Sequence, residues 1–141
     1  MQRWLTVIAL PLCLASHAHA ADLQVTVHNV QSDSGKVMLA LFDEAHPWLK
    51  NARNAQMVSA ISRDKGTQVT LVFKDLPPGR YAVSGYHDLN GNGELDSNAM
   101  RIPTEPVGFS NGAQARFGPP RFNDAALSLG EHDLKIDVHL K

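Results

Sequence analysis

The segment at residues 134–140 (LKIDVHL) alternates apolar and polar side chains without a break. Alternation with a period of two is typical of a β-strand that buries one face, because successive side chains point to opposite sides of the sheet. Residues 23–28 (LQVTVH) repeat the pattern near the other end of the chain, and residues 69–73 (VTLVF) repeat it in the middle. The sequence therefore predicts strands at both ends and in the middle of one chain.

Shorter strand candidates lie between these three segments, at residues 37–42, 57–62, 80–86 and 125–129. The turn-forming residues 32–35 (SDSG) predict that the first two strands form a hairpin. No segment has the pattern of a long helix. Six or seven short strands without helices predict an all-β fold, an antiparallel β-sandwich of about seven strands with Ig-like or prealbumin-like Greek-key connections and one long ordered loop.

The first 20 residues have the features of a secretory signal. Arg3 is followed by an apolar run at residues 4–14, and residues 18–20 (AHA) offer the small-x-small pattern that signal peptidase cleaves. Leu12 precedes Cys13, where a lipoprotein would carry a small residue, so we expect no lipid anchor. The sequence predicts a cleaved signal peptide at residues 1–20, a single domain at residues 21–141, and a periplasmic or secreted location.

The composition excludes several classes of function. The chain of 141 residues carries a formal net charge of −1, so no basic excess is present to bind nucleic acid. Its longest apolar run is shorter than the roughly 20 residues that a membrane-spanning helix needs. Its only cysteine lies inside the predicted signal. A disulfide, a catalytic thiolate and a cysteine-ligated zinc site are therefore not expected in the mature protein.

Residues 87–123 interrupt the regular spacing of strands and turns. This segment holds five of the ten glycines and four of the eight prolines. Connections longer than about 15 residues are uncommon in compact domains unless they are functional or disordered. Disorder does not fit here, because the segment also carries spaced apolar residues that could anchor it. We therefore expect an ordered loop that packs over one end of the sandwich and carries the function.

Inside that loop, residues 88–96 (DLNGNGELD) have the spacing of a calcium-binding loop. Oxygen-bearing side chains stand at positions one, three, five and nine, and a glycine at position six permits the sharp turn. Position twelve is Ala99, where an EF-hand has a bidentate glutamate, so the loop is not an EF-hand. Glu105 is the candidate to close the coordination shell. The predicted ligands of a weak calcium site, with Glu94 contributing its backbone carbonyl, are Asp88, Asn90, Asn92, Glu94, Asp96 and Glu105.

Other interpretations of the same residues stay open. Asn-Gly pairs form type I′ turns without any metal, so the loop could be a purely structural, metal-free turn. A small periplasmic hydrolase that uses the carboxylates of Asp88, Asp96 and Glu105 is a second alternative. The sequence contains none of the common catalytic motifs, which favours a protein that is not an enzyme. The histidines lack the spacing of zinc or copper ligands.

Four motifs resemble those of an uncharacterised family of bacterial secreted or periplasmic proteins, catalogued only as a domain of unknown function. They lie at residues 87–96 (HDLNGNGELD), 102–105 (IPTE), 108–111 (GFSN) and 117–122 (FGPPRF). In addition, residues 73–81 (FKDLPPGRY) resemble the strand–turn–strand unit of prealbumin-like and adhesin-repeat sandwiches. These resemblances imply an exported β-sandwich, and they imply no reaction.

Together these observations predict an exported, non-enzymatic β-sandwich whose long loop is ordered by calcium. Its expected partner is a protein or a glycan of the cell envelope.

Overall fold

The structure is a computed structural model that describes residues 19–50, 53–58 and 68–141. Most of the predicted signal peptide and residues 59–62 of one strand candidate lie outside the described residues. Eight strands are present in the described part: β1 Ala21–His28, β2 Lys36–Asp43, β3 Asn54–Val58, β4 Val69–Leu76, β5 Gly79–Asp88, β6 Val107–Phe109, β7 Leu127–Leu129 and β8 Leu134–His139. A 3₁₀ turn at Ser110–Gly112 and a short helix, α1, at Phe122–Ala125 complete the elements.

The strands form two sheets. The first sheet has the order β4-β1-β8, and the second has the order β3-β2-β5-β6, with β7 also pairing with β5. All pairs are antiparallel except that of β1 with β8, which is parallel. The structure confirms the predicted all-β sandwich.

The predicted hairpin of the first two strands is wrong. β1 pairs with β4 and β8, whereas β2 pairs with β3 and β5, so the turn between them crosses from one sheet to the other. Each strand buries its alternate apolar side chains in the same core. The two strands therefore share that core from different sheets, and a period-two pattern cannot distinguish this packing from pairing side by side.

The segment at residues 73–81 also crosses between the sheets, since β4 belongs to the first sheet and β5 to the second. The resemblance to a strand–turn–strand unit holds for the order of the elements but not for a paired hairpin. Tyr81 fixes the turn, because its hydroxyl donates a hydrogen bond to the carbonyl of Pro77 at 2.7 Å.

The predicted loop at residues 87–123 contains more regular structure than expected. β5 continues to Asp88, β6 adds to the same sheet, and α1 begins before the loop ends. Ala125, predicted to start a strand, ends α1 instead, and the following strand begins at Leu127. A four-residue helix carries too little periodicity to be read from sequence. Asp88, the first residue of the candidate calcium loop, is therefore the last residue of β5, a strand that has neighbours on both sides.

Trp48 anchors the far part of this segment. Its ring contacts those of Phe42, Phe109 and Phe122, with centroids 4.9–6.2 Å away. Its indole N–H donates to the carbonyl of Pro120 at 2.7 Å. The long connection is therefore held against the second sheet by aromatic packing and by the hydrogen bond between Trp48 and Pro120.

Candidate functional site

The loop at residues 88–96 is built around the carboxylate of Asp88, the last residue of β5. Asp88 is fully buried. Its Oδ1 accepts hydrogen bonds from the backbone N–H groups of Gly91 at 2.8 Å and Asn92 at 3.2 Å, and its Oδ2 accepts from Gly93 at 2.8 Å. Gly91 and Gly93 have φ values of 73° and 83°, which favour glycine, and this lets the chain wrap round the carboxylate. One buried anion thereby fixes the first half of the loop.

The second carboxylate of the loop, that of Asp96, meets two side-chain amides. The Nδ2 of Asn90 donates to Asp96 Oδ2 at 2.6 Å, and the Nδ2 of Asn92 lies 3.1 and 3.2 Å from the two Asp96 oxygens. The amide oxygens face the backbone, because Asn90 Oδ1 accepts from the N–H of Asn92 and Asn92 Oδ1 accepts from the N–H of Glu94. Three of the predicted ligands therefore converge, and both asparagines are exposed.

Glu105 closes the loop from the far side. Its side chain is buried. Its Oε1 accepts from the N–H of Leu89 at 2.8 Å, and its Oε2 accepts from the N–H of Asp96 at 3.1 Å. The carboxylate therefore joins the two ends of the segment 89–96. The sequence placed Glu105 beside this loop, and the structure does the same, but its oxygens bind backbone amides.

The side chain of Glu94 stands apart from this network. It is exposed, and only its backbone N–H takes part, through Asn92 Oδ1. The prediction gave Glu94 a role through its backbone carbonyl alone, so an outward side chain is consistent with that role.

Tyr86 is a member of the site that the sequence pattern did not identify. Its hydroxyl donates to the carbonyl of Gly93 at 3.3 Å. Burial raises the pKa of Tyr86 above its ordinary value, and the negative charges of Asp88, Glu105, Glu94 and Asp96 raise this pKa further. Its position two residues before Asp88 on β5, on the same face, was the available signal. The pKa of Tyr86 therefore depends on the charge of the loop.

His87 is a second such residue, and its role is to hold the loop to the sandwich. It is fully buried, and its Nε2 donates to the carbonyl of Ser34 at 2.9 Å, while its Nδ1 accepts from the N–H of Gln31 at 3.4 Å. The neighbouring Gly35 lies directly against the carbonyl of Asp88. The turn between β1 and β2 thus packs against the base of the loop.

The contacts of the loop's carboxylates decide which of them could bind a metal ion. Within residues 19–50, 53–58 and 68–141, no group of three or more His, Cys, Asp or Glu side chains is arranged to hold a metal ion. Asp88 and Glu105 use their oxygens on N–H groups. The carboxylate of Asp96, by contrast, accepts from the side-chain amides of Asn90 and Asn92.

The hydrolase alternative gains no support from this geometry. A general acid or base must reach a substrate, whereas Asp88 and Glu105 are both buried and bonded to backbone amides. Ser110, which precedes Asn111 in the long connection, is also buried. Its hydroxyl donates to the carbonyl of Ala125 at 2.6 Å and accepts from the N–H of Val83 at 2.8 Å, which is a structural role.

Comparison with known proteins identifies a family. The family model described as "Uncharacterized protein conserved in bacteria (DUF2141)" matches residues 25–137, a range that includes every candidate ligand. No curated protein and no solved structure matches the chain. Among the described residues, no helix is both long enough and apolar enough to cross a membrane.

Proposed function

The chain belongs to the DUF2141 family of uncharacterised bacterial proteins, and from the geometry of its loop we propose that it is an exported, non-enzymatic β-sandwich whose loop at residues 88–96 binds calcium. The ion stabilises the loop and takes no part in a reaction. The observation that carries this proposal is that the side chains of Asn90, Asn92 and Asp96 contact one another in the loop that the buried carboxylate of Asp88 orders.

The donor set favours calcium over other metals. All candidate ligands are carboxylate, amide or carbonyl oxygens, which suit hard cations, and no thiolate or imidazole is among them. Magnesium demands near-ideal octahedral geometry and gives up its water slowly, whereas calcium accepts irregular shells of six to eight oxygens. A loop that offers about five oxygens, with water filling the rest, therefore suits calcium best.

The affinity follows from how the carboxylates are used. Asp88 and Glu105 already accept backbone hydrogen bonds, so Asp96 is the only carboxylate of the cluster whose partners are side chains alone. Ala99 supplies no ligand at position twelve. Few charged ligands give dissociation constants of about 0.1–1 mM, in the range of extracellular modules. Such a site would be filled outside the cytoplasm.

The export part of the proposal is supported by the sequence of residues 1–20 and by one feature of the fold. β1 begins at Ala21, so cleavage after Ala20 would leave all eight strands intact. A protein or glycan of the cell envelope is the proposed partner. The exposed apolar side chains of Leu95, in the loop, and of Met100 and Ile102, just after it, support a contact of this kind.

Calcium is expected to raise the thermal stability of the purified protein. With a dissociation constant of about 0.1–1 mM, roughly 10 mM calcium adds about 1.4–2.7 kcal/mol to the free energy of unfolding. This corresponds to a rise in melting temperature of about 5–10 °C, measured by circular dichroism against the protein in EDTA.

Asp96→Asn should abolish that rise, because it removes the charge while keeping the shape of the side chain. Glu131→Gln is the matched control, since Glu131 is an exposed acid in the turn before β8, and it should leave the rise intact. If calcium raises the melting temperature of the wild type and of Asp96→Asn equally, the ion binds elsewhere and the proposal is wrong.

Calcium is also expected to lower the pKa of Tyr86. The loop carboxylates raise this pKa by repelling the tyrosinate, and a divalent cation among them would offset that repulsion. The chain has two tyrosines, so in a Tyr81→Phe background the absorbance of tyrosinate reports Tyr86 alone. Titration curves that coincide with and without calcium would contradict an ion at this loop.

One observation favours a second candidate, the metal-free structural loop. The oxygens of Asp88 and Glu105 satisfy five backbone N–H groups between them, which is enough to order the segment without an ion. In that case both calcium experiments would give no change, and the loop would act only as a rigid lid.

A further inference from the structure

The loop between the 3₁₀ turn and α1 presents a phenylalanine to water. Residues 114–119 (QARFGP) are all exposed. Phe117, in this run, has an accessible surface equal to 108% of the reference value for its residue type, whereas Met100, the next most exposed large apolar residue of the described part, reaches 76%. A side chain so exposed adds little to the stability of the fold, and its whole apolar surface is available to another molecule.

The turn that carries Phe117 is held in place by the fold. The N–H of Arg116 donates to the carbonyl of Gly118 at 3.2 Å, which closes a tight turn around Phe117. Pro120 is buried, and its carbonyl accepts the hydrogen bond from the indole N–H of Trp48 at 2.7 Å. An ordered turn loses less entropy on binding than a flexible one, so this phenylalanine is prepared for a contact.

The charged residues around Phe117 are all positive. Residues 106–123 contain two arginines, Arg116 and Arg121, and no aspartate or glutamate. Arg121 forms an ion pair with Asp124 at 3.1 Å. Within the part of the chain that the structure describes, no acidic side chain forms an ion pair with Arg116. The loop therefore carries a positive charge that the fold does not neutralise.

The turn at residues 47–50 lies beside this loop, because the bond between the tryptophan and the proline joins the two segments. Leu49 and Lys50 are both exposed, and Lys50 has no ion-pair partner among the described residues. The acids that precede the turn, Asp43 and Glu44, are each already bonded to an arginine. The turn thus adds a second unneutralised positive charge and a second exposed apolar side chain.

We propose that residues 116–121, together with the turn at residues 47–50, bind the surface of a membrane that contains anionic lipids. Phe117 enters the boundary between the headgroups and the acyl chains, while Arg116 and Lys50 stay at the level of the phosphate groups. The chain lies on the membrane and does not cross it. This contact goes beyond the proposed calcium site and does not depend on it.

Apolar surface and charge together select this occupant. An acidic polymer would match the positive charges but would leave Phe117 in water, and an apolar pocket of another protein would bury Phe117 but would not need the unpaired bases. A bilayer with anionic headgroups satisfies both. Because one ring and two unpaired charges contribute most, the binding is weak, and salt should weaken it further by screening the charges.

Binding to lipid vesicles tests the proposal, with energy transfer from tryptophan to a dansyl-labelled lipid as the readout. The mature chain of residues 21–141 keeps all eight strands, and Trp48 is its only tryptophan because Trp4 lies in the predicted signal. EDTA is present throughout, so the result is independent of the calcium site. The mature chain should bind phosphatidylglycerol vesicles about tenfold or more tighter than phosphatidylcholine vesicles.

Four variants separate the contributions of the ring and the charge. Phe117→Ser and Arg116→Glu should each weaken binding to the anionic vesicles by about tenfold or more, the first because no ring leaves water and the second because a charge is reversed. Phe117→Leu keeps an apolar side chain and should bind nearly as well as the wild type. Met100→Ser is the control, because it removes an exposed apolar side chain from a different loop, and it should bind like the wild type.

Several results would overturn the proposal. Equal binding to the two kinds of vesicle would do so, as would equal binding of anionic vesicles by the wild type and Phe117→Ser. A wild type that binds dextran sulfate but no vesicles at millimolar lipid would mean that the partner is an acidic polymer. Self-association that Phe117→Ser abolishes, without binding to vesicles, would mean that a second copy covers the ring.

Discussion

Gly35→Ala is expected to lower the free energy of unfolding by about 3–5 kcal/mol, more than any other substitution in or around the loop. A Cβ at this position would lie 2.0 Å from the carbonyl oxygen of Asp88 and 2.9 Å from its carbonyl carbon, both of which belong to a central strand and cannot move aside. The φ of Gly35 is 79°, in the left-handed region, which adds strain for any L side chain. The added methyl group would make the turn between β1 and β2 collide with the backbone of Asp88, at the base of the candidate site.

Chemical unfolding in urea measures this loss, and Gly112→Ala is its matched control. Gly112 has a similar φ of 64°, but a Cβ there would meet nothing within 4 Å. The control should therefore cost only about 1 kcal/mol, the strain of a left-handed alanine. Equal losses for the two variants would mean that Gly35 does not lie against the Asp88 carbonyl. The turn between β1 and β2 would then not support the loop.

Asp88→Ala is expected to cost about 2–3 kcal/mol and to release the first half of the loop. The substitution deprives the N–H groups of Gly91, Asn92 and Gly93 of their acceptor, and an unpaired N–H costs about 1–3 kcal/mol when water cannot replace the partner. Because all three residues lie near the surface, water compensates part of this loss. Hydrogen exchange followed by NMR should show the three amides exchanging much faster, while those of β5 stay protected.

Glu131→Ala is the control for Asp88→Ala, since it removes an exposed carboxylate far from the loop along the chain. It should leave both the free energy of unfolding and the three amide exchange rates unchanged. If Asp88→Ala behaves in the same way, the buried carboxylate does not organise the loop, and the contact of Asn90 and Asn92 with Asp96 has another cause.

The fold could be predicted from sequence to the level of its class. Strands with one buried face, such as residues 23–28 and 134–140, are recognisable by their alternation because each side chain must point either inward or outward. Which strands pair was not predictable, because the alternation is the same for a strand and its neighbour as for two strands in facing sheets. The predicted hairpin of β1 and β2 was wrong for this reason.

The candidate site could be predicted as a set of residues, but not as a set of bonds. The spacing of oxygen-bearing side chains at residues 88–96 and the position of Glu105 identified groups that the structure does bring together. The sequence did not indicate that Asp88 and Glu105 would accept backbone N–H groups, because that depends on how the glycines turn the chain. Tyr86 and His87 were not identified as members of the site, because the only signal for a tyrosine or a histidine on this strand was its position beside Asp88.

Isothermal titration calorimetry with calcium tests the central claim most directly. The wild type should bind one ion with a dissociation constant of about 0.1–1 mM, and Asp96→Asn should show no binding while retaining the wild-type fold. Equal heats for the two proteins, or no heat for the wild type at millimolar calcium, would contradict the claim that this loop is a calcium site.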